Sequence, residues 1–342
     1  MAKSRILVVG TGGIGTMSAF ALEKGGQSEV TAVMRSNYDA AVKDGIDIDS
    51  VQWGQIKAWR PTAISRVVPD VSKDGTPPFD YIVVTTKNIP DVSPTVPEII
   101  APAVTPGKTA IVLSQNGINI EKPLIAHFPT NPLISSVVYT GATETAPAKI
   151  YNDDPEFQKV GAFANPQVPQ EVADEAAKKF VELYNPDGKL DIIYEPEVKA
   201  VRWRKLAYNG TFNPVASILR MDTPRMRMSQ HIIDDLILPA VAEIQAIALA
   251  DGFQLQEDLV DALMHQDPND TAFKPSMCQD LEKGNLMEVE NLVGEAVREA
   301  KRLGVPAPTL TIFYGFMKGL QLKAKESKGL WKAEFQPGNP YV

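Results

Sequence analysis

The chain has 342 residues, 44% of them hydrophobic and 22% charged; at about 150 residues per domain this reads as two domains of a globular protein. Its formal charge of -8 provides no basic surface for a phosphate backbone, so nucleic acid is not an expected partner. The single cysteine, Cys278, excludes an intrachain disulfide and a CxxC pair and points to the cytoplasm.

The first apolar run, residues 6–9, stops at Gly10. It is far shorter than a signal core or the roughly 18 residues that cross a bilayer, so neither a leader nor a membrane partner is expected. Residues 5–9 read as a short buried strand, 14–23 as a helix by apolar spacing, and 29–34 as a second strand, which together make a βαβ opening. Further β-branched runs at 81–86, 109–114 and 134–140 continue the rhythm of a mostly parallel sheet with both faces covered. Beyond residue 196 the apolar period becomes helical, at 198–219, 231–250, 288–303 and 309–325, each with Gly or Pro near its end. The predicted architecture is α/β. Residues 1–195 form a Rossmann-type doubly wound NADP-binding domain, 196–327 an all-α substrate and catalytic domain, and 328–342 a surface tail.

Gly10, Thr11, Gly12, Gly13, Ile14 and Gly15 supply the spacing G-x-G-x-x-G between a strand and a helix. The first glycine allows the turn, the second lets backbone approach a pyrophosphate, and the third lets helix pack on strand. A ribose 2′-hydroxyl is usually read by a carboxylate about 20 residues on, at the end of the second strand. This chain has Arg35 and Ser36 there, a guanidinium fork and a hydroxyl that suit a 2′-phosphate. NADPH is therefore the expected cofactor; the competing view is that Arg35 is a solvated strand-end charge. Lys87 and Asn116 follow two later strands, where ligands of open α/β sheets lie, although a helix-start lysine and an Asn-Gly turn would look the same.

Lys205, Asn209 and Asn213 recur at i, i+4 and i+8. On one helix they would form a polar stripe drifting about 40° per step. Such a stripe suits a cleft wall that grips a small oxyacid, and a solvated face would favour better helix formers than two asparagines.

The glycine turn, Arg35, Lys87, Asn116-Gly117, the Lys-x3-Asn-x3-Asn-Pro segment, and Pro275-Ser276-Met277-Cys278-Gln279-Asp280 followed by Glu288 together resemble the ketopantoate reductase (2-dehydropantoate 2-reductase) family, in order and over nearly the whole chain. The resemblance implies NADPH-dependent reduction of 2-dehydropantoate to (R)-pantoate, a step of pantothenate biosynthesis. It makes Lys205 the general acid toward the substrate carbonyl, with Asn209, Asn213 and Ser276 holding the substrate's carboxylate and hydroxyl. It makes Asn116 and Lys87 cofactor-side residues that also approach substrate, Ala142 a backbone contact to the cofactor, and Glu288 a carboxylate beside the nicotinamide ribose and substrate. Burial would lower the pKa of Lys205 while Glu288 would raise it, and the sequence leaves that balance open.

The chain departs from the family pattern at Thr223, where another asparagine is usual, at Pro147 to Asp154, and in an insertion-like region, 59–78. These departures leave two alternatives: a D-2-hydroxyacid dehydrogenase-like reductase of another 2-oxo acid, and an NADPH sensor without turnover. No metal is expected, because His127, His231 and His265 are scattered and Asp267 to Asp270 lacks the remaining ligands of a calcium loop. Cys278 reads as a small buried apolar residue. Phe313, Tyr314, Phe316 and Met317 have helical spacing and suit either core or a homodimer contact.

Overall fold

The computed structural model describes residues 2–73, 75–335 and 337–341. The chain divides into two compact units, residues 1–201 and 202–342. Strand β1 (Ser4–Val9) leads through the glycine turn into α1 (Gly13–Lys24), β2 (Ser28–Val33) and α2 (Tyr38–Asp44). There follow β3 (Ile46–Ser50), β4 (Gly54–Trp59), β5 (Ala63–Ser65), β6 (Tyr81–Val84), α3 (Val96–Ile100), β7 (Ala110–Leu113), α4 (Lys122–His127) and β8 (Leu133–Val138). The first unit is completed by β9 (Ala142–Ala146), β10 (Lys149–Asn152), β11 (Phe157–Ala162), α5 (Gln170–Tyr184) and β12 (Asp191–Tyr194).

Among the described residues, eight strands form one sheet in the order β12-β11-β8-β7-β6-β1-β2-β5, parallel throughout except where β11 runs against β8. The strands read as unbroken apolar runs because both faces are covered. Ile6, Val8, Val83, Val112 and Val160 pack under α1 and α5 with Leu22, Ala177 and Phe180. The alternate residues Leu7, Val9, Ile82, Val84 and Leu113 pack with Val96, Ile100 and Leu124 on the other face. Both clusters follow from the two-residue side-chain period of a strand.

A second sheet, β4-β3-β10-β9, is not expected from the sequence pattern. Its Ile46, Ile48 and Ile150 pack with Met17 and Phe20 of α1, so α1 is buried from Gly15 to Leu22 and not only along one stripe. The Pro147 to Asp154 departure is part of this sheet, a β9–β10 hairpin that turns at Ala148 (φ 58°). The small sheet is also tied to the large one by polar contacts: buried Glu156 accepts from Trp53 Nε1 at 3.3 Å and from the Tyr184 hydroxyl.

The boundary between the units falls inside α6 (Val198–Asn209), several residues after the expected one, because Val198 and Val201 of its first turn pack on Val137. The second unit is helical: α7 (Phe212–Leu219), α8 (Thr223–Arg227), Gln230–Ile232 continuing through a π turn into Leu238–Ala250, Leu259–Met264, Ser276–Glu282, a π turn Glu290–Gly294 leading into Glu295–Leu303, and Pro308–Ser327. The expected single helix 198–219 is broken at Gly210-Thr211. Pro214 has no N–H to give the Gly210 carbonyl and its ring crowds it, while the Thr211 hydroxyl takes the Ala207 carbonyl at 2.6 Å, so the chain restarts as α7. Phe313 and Met317 are core, whereas Phe316 is exposed.

Candidate active site and cofactor cleft

The glycine turn divides its labour by atom. Gly10 has φ 95°, and a Cβ there would come within 2.8 Å of the Thr86 backbone N. A Cβ on Gly15 would overlap the Gly10 carbonyl, and one on Gly13 the Ala142 carbonyl; both glycines are packing positions. Gly12 is the opposite case, since its added Cβ would meet nothing within 4 Å. Its backbone borders a cleft of about 590 Å³ lined by Gly10, Thr11, Gly12, Arg35, Ser36, Asn37, Arg66, Thr86 and Lys87 among others. The open face of Gly12, α1 starting behind it and the cations at the cleft rim fit a dinucleotide, with pyrophosphate against the turn.

The cleft is held in shape by contacts that sequence reasoning missed. Asn37 is buried and donates from Nδ2 to the Thr11 carbonyl at 2.7 Å, while the Thr11 hydroxyl donates to the Val33 carbonyl at 3.2 Å. These bonds fasten the glycine turn to the end of β2. On the far side, Gln115 Nε2 donates to the Thr86 carbonyl at 2.7 Å, joining the loops after β6 and β7. Thr85 still gives its N–H to Val9, but its hydroxyl turns to the Gly10 carbonyl, so β6 ends at Val84 and Lys87 projects as an exposed cleft residue. Asn116 is half-buried on the loop after β7. Ile14 lies in the first turn of α1, and Ala142 begins β9 against Gly13. Arg35 and Ser36 are exposed at the cleft.

In the second unit, Lys205 is half-buried in α6, with Asn209 and Asn213 buried one and two turns later, the second across the helix break. Desolvation brings the Lys205 ammonium down to about 7, the neighbouring Arg202 pushes in the same direction, and Glu288 opposes both. Burial therefore outweighs the carboxylate. A lysine with a pKa near neutrality can exchange a proton at working pH. The Asn213 Oδ1 atom is buried without a hydrogen-bond partner, an orphan of the kind that collects at ligand sites. Ser276 is exposed at the first turn of Ser276–Glu282, and that helix packs on α7, where Cys278 Sγ lies 3.4 Å from the Ala216 carbonyl. Thr223 is fully buried.

Glu288 is buried and follows a segment clamped by one side chain. The Gln321 amide accepts from Met287 N at 2.9 Å and donates to its carbonyl at 3.0 Å. No local pattern announces Gln321, since only the helix packing brings it to Met287. Gln321→Ala would leave both backbone groups buried and unsatisfied, and is expected to destabilise the protein by about 1–3 kcal/mol in a denaturant titration.

The large parallel sheet, the glycine turn and the cleft define a nucleotide-binding α/β fold followed by a helical unit. Sequence profiles for "Ketopantoate reductase PanE/ApbA" and its "C terminal" part match residues 6–165 and 197–321. The chain is 38% identical to an uncharacterised protein of Saccharomyces cerevisiae, covering 96% of this chain and 97% of that one. It resembles the crystal structure of 2-dehydropantoate 2-reductase from Methylococcus capsulatus at TM-score 0.79 and 30% identity, over 98% of this chain and 100% of that chain. A D-mandelate dehydrogenase complex with NADH and anilino(oxo)acetate shares the fold at TM-score 0.78 and 17% identity, over 94% of this chain and 99% of that one. The protein belongs to the ketopantoate reductase family, oxidoreductases that act on CH–OH groups with a nicotinamide cofactor. Among the described residues there is no cluster suited to a metal ion and no helix long and apolar enough to cross a membrane.

Proposed function

We propose that the protein is a cytosolic NADPH-dependent reductase of a 2-oxo acid, with 2-dehydropantoate as substrate and the (R)-2-hydroxy acid as product. The observation that carries this reading is the half-buried residue Lys205, whose ammonium is desolvated enough to bring its pKa to about 7, followed along the chain by two buried asparagines. When bound, the cofactor supplies hydride for the carbonyl carbon. Lys205 then gives its proton to the carbonyl oxygen as negative charge develops there, combining general acid catalysis with electrostatic stabilisation. Asn209, Asn213 and Ser276 hold the substrate's carboxylate and hydroxyl, with the orphaned Asn213 Oδ1 suited to accept from a hydroxyl. Glu288, electrostatically coupled to Lys205, favours its charged form before proton transfer. Lys87 and Asn116 serve the cofactor side and Ala142 the turn behind it, while Arg35 and Ser36 take the 2′-phosphate.

A second reading keeps this machinery and changes the 2-oxo acid. It is favoured by the fold shared with D-mandelate dehydrogenase and by Thr223, whose buried side chain stands where the family often has an asparagine. Steady-state oxidation of NADPH with 2-dehydropantoate, 2-oxoisovalerate and benzoylformate, each repeated with NADH, separates the two. The first reading expects 2-dehydropantoate with NADPH to give the highest kcat/KM. A tenfold advantage for another acid, about 1.4 kcal/mol in transition-state binding, would establish the second.

A further inference from the structure

The region 59–78, insertion-like in the sequence, contributes β5 to the edge of the large sheet beside β2. Its register is parallel, with Thr31 opposite Ala63, Ala32 opposite Ile64 and Val33 opposite Ser65, and it continues as Met34 N donates to the Ser65 carbonyl at 2.9 Å. Parallel strands end on the same side, so the residue after β5, Arg66, emerges next to the chain that carries Arg35 and Ser36. All three line the same cleft.

We propose that Arg66 is a second guanidinium for the 2′-phosphate of the cofactor, delivered beside Arg35 by β5. The proposal rests on the NADPH reading above and adds a specificity-determining residue to it. Arg66 is oriented before any ligand arrives: its guanidinium carbon lies 4.2 Å over the Tyr38 ring, and Nη2 pairs with Asp39. Stacking fixes the plane of the fork while leaving its edge for hydrogen bonding. The Asp39 carboxylate is 81% exposed, so water screens the pair and a phosphate dianion can displace it. The other carboxylates of the cleft are engaged elsewhere. Glu98 accepts from Thr95 N at 2.6 Å and from the Thr95 hydroxyl at 2.9 Å, and Glu144 accepts from Ala148 N at 3.0 Å. The cleft therefore presents the guanidinium groups of Arg35 and Arg66 to an anion. A dianionic phosphate can engage two guanidinium forks, whereas the 2′-hydroxyl of NADH offers little to either.

Binding of NADPH and of NADH to the wild type, Arg66→Ala and Arg66→Gln, followed by nicotinamide fluorescence, tests this. Both variants are expected to weaken NADPH by about ten- to a hundredfold, the range of a charged hydrogen bond, and to leave NADH within about twofold. Retained NADH binding also reports that the variants are folded. Equal loss of both cofactors would make Arg66 an adenosine-stacking or structural residue, and unchanged NADPH binding would make it a surface charge; either result overturns the proposal. A wild type that binds NADH as tightly as NADPH would overturn the NADPH reading itself, before any variant is made, and the role of Arg66 with it.

Discussion

Replacing Lys205 with alanine is expected to lower turnover by about a hundredfold or more while leaving NADPH affinity nearly unchanged, as loss of a general acid does. The residues lining the cleft at the glycine turn all lie outside α6, so cofactor titration and steady-state kinetics should part company in this variant. With the Lys205 ammonium near 7, the wild-type rate of reduction should fall as pH rises through about 7, and Lys205→Ala should lose that limb. Stability carries the opposite sign. The folded value is depressed below the ordinary 10.5, so the unfolded chain binds the proton more tightly between about 7 and 10.5, and stability rises with pH across that window. The cost of burying the charged amine is complete below about pH 7. Lys205→Met should therefore gain most over wild type in acid and progressively less toward pH 10, as read by denaturant titration. A stability difference independent of pH would remove Lys205 as the titrating group, and unchanged turnover would remove it as the acid.

The second large effect separates two glycines of one motif. Gly15→Ala places a Cβ on the Gly10 carbonyl and within 2.5 Å of the Thr85 hydroxyl, where backbone rather than a flexible side chain must move. The expected loss is on the order of 3 kcal/mol or more, from overpacking at the crossing of α1 with β1 and β6. Gly12→Ala meets open space and should leave the melting temperature within a few degrees, about 1 kcal/mol in equivalent stability. The same methyl occupies the cleft that suits the pyrophosphate, so cofactor affinity should fall sharply. Thermal melts beside cofactor titrations decide this. If Gly12→Ala binds NADPH normally, the open face of the turn is not where the phosphates lie.

Much of this protein is legible along the chain because the determining physics is local. Unbroken apolar runs such as residues 6–9 and 81–84 specify strands buried on both faces, whichever neighbours cover them. The glycine spacing from Gly10 to Gly15 specifies a strand–turn–helix, and the stripe of Lys205, Asn209 and Asn213 stands out because a solvated helix would not choose two asparagines. A straight stripe through all three, however, ignores Pro214. That residue acts on the Gly210 carbonyl four residues back, a rule of helix ladders that apolar spacing does not record.

Other features arise from long-range packing. The small sheet β4-β3-β10-β9 is hard to read because its strands are only four to six residues long, too short for the alternation of Ile46, Asp47, Ile48 and Asp49 to stand out. Asn37, Gln115 and Gln321 act through backbone groups that neighbouring strands or helices bring to them, at sequence separations of 26, 29 and 34. Arg66 becomes a neighbour of the β2 end only through the pairing of β5. Fold class and family are thus written in the linear order of residues, where spacing and residue identity suffice. The lysine's protonation balance and the set of cations that share a cleft are not, because desolvation and proximity are properties of three-dimensional surroundings.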